Sequence, residues 1–132
     1  MEKMRAVRDV TKEAEQVILK LKERGNGQIA IKTSQLRKFL TAVNALSNKI
    51  EVFEAKHAGA KELTPELASE VRYLKVKFVY QAGRMREVRE FGDVAKLRDW
   101  IEGIGESLAS YHRFAQYMEA LVAFHKFYGG KE

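Results

Sequence analysis

Apolar side chains recur every three or four positions along most of the chain, which is the period of an amphipathic helix. This pattern and the single proline predict an all-α fold, a compact helical bundle of about five helices in a single domain over residues 1–132. The second helix shows this apolar spacing most clearly. It should run from an N-cap at Thr33 or Ser34 to about Lys56. Its buried face should carry Leu36, Phe39, Leu40, Val43, Leu46, Ile50 and Phe53.

Capping and turn residues set the predicted ends of the first helix. Asp9 or Thr11 should cap its N-terminus, and Gly25-Asn26-Gly27 should end it after about Arg24. The alternation in Gln28–Lys32 predicts a short extended piece before the second helix. Residues 1–10 and 129–132, at the two ends of the chain, are expected to fray.

A third helix should begin at Thr64-Pro65, because proline is favoured at the first helical position. It should end at Phe91-Gly92-Asp93, where Asp93 caps a short helix to about Ile104. Gly83 inside the third helix favours either close approach of another backbone or ligand, or a local break. The last helix, from about Ser107 to Phe127, is apolar around most of its circumference. Such a helix is usually central or covers another subunit.

Composition limits the function more than the fold. With 45% hydrophobic and 32% charged residues, the chain should fold rather than stay disordered. It has no cysteine, which excludes disulfides, thiolate metal sites and cysteine nucleophiles and favours the cytoplasm. The charged start does not resemble a signal peptide, and no apolar run approaches membrane-spanning length. We therefore expect no membrane association.

Catalytic motifs are missing from the sequence. His57, His112 and His125 do not have metal-ligand spacing. Gly103-Ile104-Gly105 lacks the third glycine of a dinucleotide-binding fingerprint, and Ala82-Gly83-Arg84 is not a phosphate loop. The sequence therefore predicts a protein that is not an enzyme and that holds neither a metal nor another cofactor.

Positive charge is concentrated in one segment, Arg72–Arg89. Its six basic residues and one acid give it +5, against +6 for the whole chain. Helical spacing places one set of its side chains on one flank of the third helix: Tyr73, Lys77, Tyr80 and Arg84. It places a second set on the other flank: Arg72, Lys75, Val79 and Arg86.

A basic stripe with aromatic side chains is typical of binding to a phosphate backbone. The second helix adds a polar face with Arg37, Thr41, Asn44 and Asn48, side chains suited to phosphate oxygens and ribose hydroxyls. The alternative is an ordinary solvated helix face, with the tyrosines filling space between helices. The lack of an acidic counter-stripe favours the first interpretation.

Three segments then show a family resemblance: Thr33–Leu40 (TSQLRKFL), Tyr73–Arg84 (YLKVKFVYQAGR) and Arg113–Gly130 (RFAQYMEALVAFHKFYGG). Their order and spacing resemble the small subunit of type III-A CRISPR–Cas effector complexes, the Csm complexes. The resemblance spans about Thr33 to Gly130, whereas the first thirty-odd residues match only in character, as a helix followed by a loop.

The resemblance implies a small helical protein without catalytic activity. Copies of it stack head to tail in a filament beside the backbone subunits, and together they hold a guide RNA and its single-stranded target RNA in defence against foreign nucleic acid. The nuclease that acts on target RNA belongs to the backbone subunit, and the large subunit carries polymerase-like and DNA-cleaving functions. The basic third helix and the apolar last helix could then serve RNA binding and subunit stacking.

Arg37, Lys75, Arg84 and Arg113 fall where the family shows basic residues in these motifs. Together with the charge pattern, the resemblance leads to one set of predicted RNA contacts: Arg37, Lys38, Arg72, Lys75, Lys77, Tyr80, Arg84, Arg86 and Arg113. Gln116 stands at a position that is often basic in the family, which weighs against an RNA contact there.

Phe124 and Phe127 replace frequent tyrosines of the family, a departure that leaves the resemblance intact. Two other functions stay open at this stage. The protein could be a purely structural assembly module whose basic stripe meets acidic surfaces of partner proteins, with no RNA affinity of its own. A basic helix lying on an anionic membrane fits less well, because the apolar stripe of the third helix is needed for the core.

Overall fold

The structure, a computed structural model, describes residues 9–132 and is all-α there, as predicted. It contains six helices in that range: α1 (Val10–Arg24), α2 (Thr33–Lys56), α3 (Pro65–Arg84), α4 (Arg86–Ala95), α5 (Leu97–Glu102) and α6 (Leu108–Phe127). Residues 1–8, most of the predicted frayed N-terminus, lie outside the described residues.

Side-chain caps begin three helices where the sequence predicts them. Asp9 caps α1, its carboxylate accepting from the Lys12 N–H at 3.1 Å, so Asp9 rather than Thr11 is the N-cap. Thr64 and Ser107 cap α3 and α6 in the same way. These bonds satisfy backbone N–H groups that have no partner within the first helical turn.

The start of α2 differs from the prediction, because neither Thr33 nor Ser34 is the N-cap. Lys32 holds that position, and its N–H donates to Oε1 of Gln35 at 2.8 Å. The Thr33 N–H donates instead to the Lys131 carbonyl at 2.7 Å. These two bonds use N–H groups at the helix start, so no hydroxyl cap is needed.

The predicted third helix is divided in two at Met85, whose φ of −133° and ψ of 118° are extended. The prediction that Phe91-Gly92-Asp93 ends this helix is wrong, since that triplet lies inside α4 and Asp93 caps nothing. Gly92 is buried against the Phe78 ring, so its lack of a side chain serves close packing. Lys96, at φ +55°, ends α4 immediately before α5.

Gly83 lies exposed near the end of α3. Among residues 9–132, an added Cβ at Gly83 would meet nothing within 4 Å. No other backbone of this range therefore approaches Gly83 closely, which was one of the two explanations that the sequence suggested. The rival explanation, a local break, agrees with the end of α3 one residue later, at Arg84.

Gln35 links α2 to this break. Its Nε2 lies 3.0 Å from the Met85 sulfur and donates to Oε2 of Glu87 at 3.0 Å. The hydrogen bond from Gln35 is the largest cause that lowers the pKa of the Glu87 carboxyl; a backbone hydrogen bond also lowers it, and desolvation opposes both. A lowered folded-state pKa stabilises the fold above the ordinary pKa of Glu87, and this contribution is lost as the pH falls through the folded value.

We therefore expect Gln35→Ala to raise the pKa of Glu87 toward its ordinary value, because the largest cause of the shift is removed. NMR titration of the side-chain carboxyl measures this shift. The control is Glu87→Gln, which removes the carboxyl group. Its free energy of unfolding should lack the part of the decrease at acid pH that comes from protonation of Glu87. An unchanged Glu87 titration in Gln35→Ala would contradict this account of the break.

Helix α6 lies at the centre of the fold. Its buried side chains are Leu108, Tyr111, Phe114, Tyr117, Met118, Leu121 and His125. The Tyr111 hydroxyl donates to the Val43 carbonyl at 3.1 Å, and that of Tyr117 to the Ala95 carbonyl at 2.9 Å. Of the two alternatives for an all-round apolar helix, the central one is confirmed, so α6 cannot supply a broad apolar stacking face.

The fraying of residues 129–132 stays a prediction. This tail lies against the start of α2, where the Ser34 hydroxyl donates to the Glu132 main-chain oxygen at 3.2 Å. Lys126 donates to the Glu132 side chain at 3.0 Å, and Gly130 packs against the imidazole of His125. Hydrogen bonds to a helix start hold a segment that its glycines alone would leave free.

His125 is fully buried and anchors the segment before α2, because its Nε2 lies 2.7 Å from the Ile31 carbonyl. Residues 28–32 alternate as predicted, with Ile29 and Ile31 buried, but the segment is not assigned as a strand. The loop before α3 pairs with the start of α6 through an isolated bridge between Glu62 and Ser107.

Candidate nucleic-acid interface

A groove runs between α2 and α3 on the outside of the molecule and has a volume of about 430 Å³. We call it the α2–α3 groove, and it is lined by Lys38, Phe39, Thr41, Ala42 and Ala45 from α2 and by Lys77, Tyr80, Gln81 and Arg84 from α3. Its position follows from the two amphipathic stripes, whose buried residues bring the polar flanks of the helices side by side.

The predicted flank of the third helix is confirmed. Nζ of Lys77 lies 5.9 Å from the centroid of the Tyr73 ring, and Cζ of Arg84 lies 5.7 Å from that of Tyr80. The tyrosine side chains are 57% and 68% exposed, so they do not fill space between helices. A cation beside an exposed ring offers both a charge and a stacking surface to a ligand.

The rim of the α2–α3 groove is positive. It carries Lys38, Lys77 and Arg84, and its lining contains no acidic side chain. Within residues 9–132, none of these three cations has a carboxylate within ion-pair distance. A concave surface of one sign concentrates anionic ligands, and the effect weakens as salt is added.

The opposite flank of α3 has a different electrostatic environment. Lys75 forms an ion pair with Glu102 at the end of α5, and the hydrogen bond from Lys75 lowers the pKa of Glu102. Arg72 lies beside this pair in a separate concavity of about 340 Å³. The sequence did not show an acid available to Lys75, because Glu102 reaches it only through the packing of α5 against α3.

The remaining predicted contacts lie outside the α2–α3 groove. Arg37 is exposed on α2 near Glu132, whose pKa is lowered mainly by Lys126 and in smaller part by Arg37. Arg86 is exposed at the first position of α4, and Arg113 is half-buried on α6 in a small pocket with side chains of α5.

The structure thus brings together four of the predicted side chains, Lys38, Lys77, Tyr80 and Arg84. RNA contact stays a prediction for all nine residues, including these four.

Sequence reasoning missed Gln81 and the two alanines of the groove. Gln81 is only 7% exposed, and its Nε2 donates to the Gln35 carbonyl at 3.3 Å. Ala42, which is half-buried, and Ala45, which is exposed, add apolar lining to the groove. The sequence did contain a signal for these residues. Gln81 follows Lys77 by one helical turn, and Ala42 and Ala45 are three apart beside Thr41 on the polar face of the second helix.

Across residues 9–132, no group of three or more histidine, cysteine, aspartate or glutamate residues could hold a metal ion. Nε2 of His112 lies 2.9 Å from Oε2 of Glu54, and Nδ1 of His57 lies 3.1 Å from the Phe53 carbonyl. None of the helices in the described part of the chain is long and apolar enough to cross a membrane.

Comparison with known proteins finds relatives that agree with one another in the family they indicate. Residues 4–131 match the family described as Csm2 Type III-A. The chain is 40% identical over 124 residues to "CRISPR system Cms protein Csm2" of Mycobacterium tuberculosis, covering 94% of each chain. It is 38% identical over 119 residues to the protein of the same name from Streptococcus thermophilus, covering 90% of each. The Enterococcus italicus protein is 31% identical over 98 residues.

Proposed function

Because the chain belongs to the Csm2 family of type III-A CRISPR systems, we propose that it is a non-catalytic, RNA-binding small subunit of the interference complex. Neighbouring copies stack in a filament beside the backbone and large subunits of the complex. Together they hold guide RNA and single-stranded target RNA for antiviral defence in the cytoplasm.

The observation that carries this proposal is the positive rim of the α2–α3 groove. Lys38, Lys77 and Arg84 converge there from two helices, without a carboxylate partner in the described part of the chain. Free cations on a shared face can neutralise phosphates and release counterions, which supplies affinity that does not depend on sequence. A subunit that holds RNA whose sequence is read by base pairing needs contacts of this kind.

Stacking of copies needs a second surface. Exposed apolar side chains outside the groove are the candidates for that surface. They include Leu19 on α1, Val52 on α2 and Phe127 at the end of α6, of which Phe127 is 77% exposed. Head-to-tail stacking uses two different surfaces of each copy, so candidates at separate places are compatible with it.

Removing two charges from the groove tests the RNA-binding part of the proposal. The variant Lys77→Gln with Arg84→Gln should bind a short single-stranded RNA more weakly than the unchanged chain. The slope of log affinity against log salt should shrink by about 1.4, since each phosphate contact contributes about 0.7 for a single strand. Filter binding over a salt series measures both quantities.

The matched control is Lys56→Gln with Lys61→Gln, which removes two charges from exposed side chains outside both the groove and the predicted RNA contacts. It should keep most of the affinity and the salt slope. Equal losses in both variants would show that only net charge matters. If the unchanged chain binds no RNA at low salt yet copurifies with the backbone subunits, the purely structural role is correct.

A further inference from the structure

The α2–α3 groove contains more than a phosphate clamp requires. Cations alone would hold a backbone, but the groove is also lined by the methyl groups of Ala42 and Ala45 and by the Phe39 side chain. Its volume of about 430 Å³ lies within the range of about 300–1,000 Å³ that is usual for small-ligand sites. An apolar recess with a positive rim fits a ligand that has a flat apolar part and an attached anion.

Tyr80 forms one side of this recess. Its ring is 68% exposed although the residue lies between the core positions Phe78 and Ala82 of α3. An exposed ring beside a guanidinium is a stacking platform that accepts any nucleobase, because every base has an aromatic face. This arrangement favours a base over an aliphatic side chain as the occupant.

Gln81 supplies a directional group. Its bond to the Gln35 carbonyl uses the amide nitrogen, and within residues 9–132 its Oε1 accepts no hydrogen bond. The amide oxygen of a nearly buried glutamine is a good acceptor for a base amino or imino N–H. All four RNA bases carry such a donor, so the contact does not require a particular sequence.

We propose that the α2–α3 groove receives one unpaired nucleobase of single-stranded RNA. The base stacks on Tyr80 with its polar edge toward Gln81, and the flanking phosphates lie at Lys38, Lys77 and Arg84. This inference rests on the proposed function and adds to it that the subunit holds RNA by a base as well as by the backbone.

Abasic RNA separates the two contributions. The full chain should bind a short single-stranded RNA about fivefold or more tightly than the same oligonucleotide with abasic internal positions, because stacking is lost in the latter. Ala45→Leu fills the groove without changing a charge and should lower binding of the intact RNA to the abasic level. The control is Ala55→Leu, which enlarges an exposed alanine elsewhere on α2. It should change the affinity for neither the intact RNA nor the abasic RNA.

Equal, salt-dependent binding of both RNAs by the unchanged chain would overturn the base site while leaving phosphate binding in place. An Ala45→Leu chain that keeps full RNA affinity but no longer copurifies with the other subunits would also overturn it, because the groove would then hold a protein. Absence of binding to either RNA would overturn this inference and the proposed function together.

Discussion

Replacing Tyr117 by alanine should lower the free energy of unfolding by about 3–5 kcal/mol, the usual cost of removing a large buried aromatic side chain. The ring is 1% exposed and stacks on Trp100 with centroids 4.2 Å apart, while its hydroxyl donates to the Ala95 carbonyl. Truncation therefore leaves a cavity where α6 meets α4 and α5. For a domain with about 5–15 kcal/mol of total stability, this loss is large.

The control Tyr117→Phe keeps the ring and removes one hydrogen bond. It should cost about 1–3 kcal/mol, because the Ala95 carbonyl is left buried without that partner. Urea unfolding followed by circular dichroism measures both variants. A cost below about 1 kcal/mol for Tyr117→Ala would be incompatible with a central α6.

Gly92→Ala should destabilise the protein, although alanine is the better helix former. An added Cβ would lie 2.3 Å from Cζ of Phe78, and that ring is buried in edge contact with Phe39. Overpacking of this kind lowers the free energy of unfolding by about 1–3 kcal/mol. That loss offsets or exceeds the gain of about 1 kcal/mol that alanine brings through its higher helix propensity. We expect a lower midpoint of urea unfolding.

Gly83→Ala is the matched control, because a Cβ there meets nothing within 4 Å. It should stabilise the protein by up to about 1 kcal/mol. The cost of Gly92→Ala should also shrink when Phe78→Leu removes the ring, since neighbouring substitutions are not additive. Two glycine variants of equal stability would show that Gly92 is not packed as described.

Interactions within a few residues could be predicted from the sequence. The all-α fold follows from apolar spacing, and the caps at Thr64 and Ser107 follow from hydroxyl side chains that reach an N–H three residues ahead. The flank of α3 with Tyr73, Lys77, Tyr80 and Arg84 follows from the helical period, which fixes neighbours along one helix whatever the rest of the chain does.

Contacts between distant segments could not be predicted in this way. Gln35 reaches Glu87 across 52 residues and holds the break at Met85, whereas the apolar pattern continues through that point and indicated one long helix. Gly92 looked like a helix end, because a glycine in a sequence does not reveal the ring packed against it.

The spacing of side chains along the sequence indicates the all-α fold, the apolar face of each helix and the segment where positive charge is concentrated. Which of these cations has an acidic partner depends on packing between helices, which pairs Lys75 with Glu102 of α5 and places Lys77 and Arg84 beside α2. This is because the helical period sets side-chain neighbours only within one or two turns of the same helix. A groove or an ion pair between helices depends on how they pack, which the periodicity of each helix does not specify.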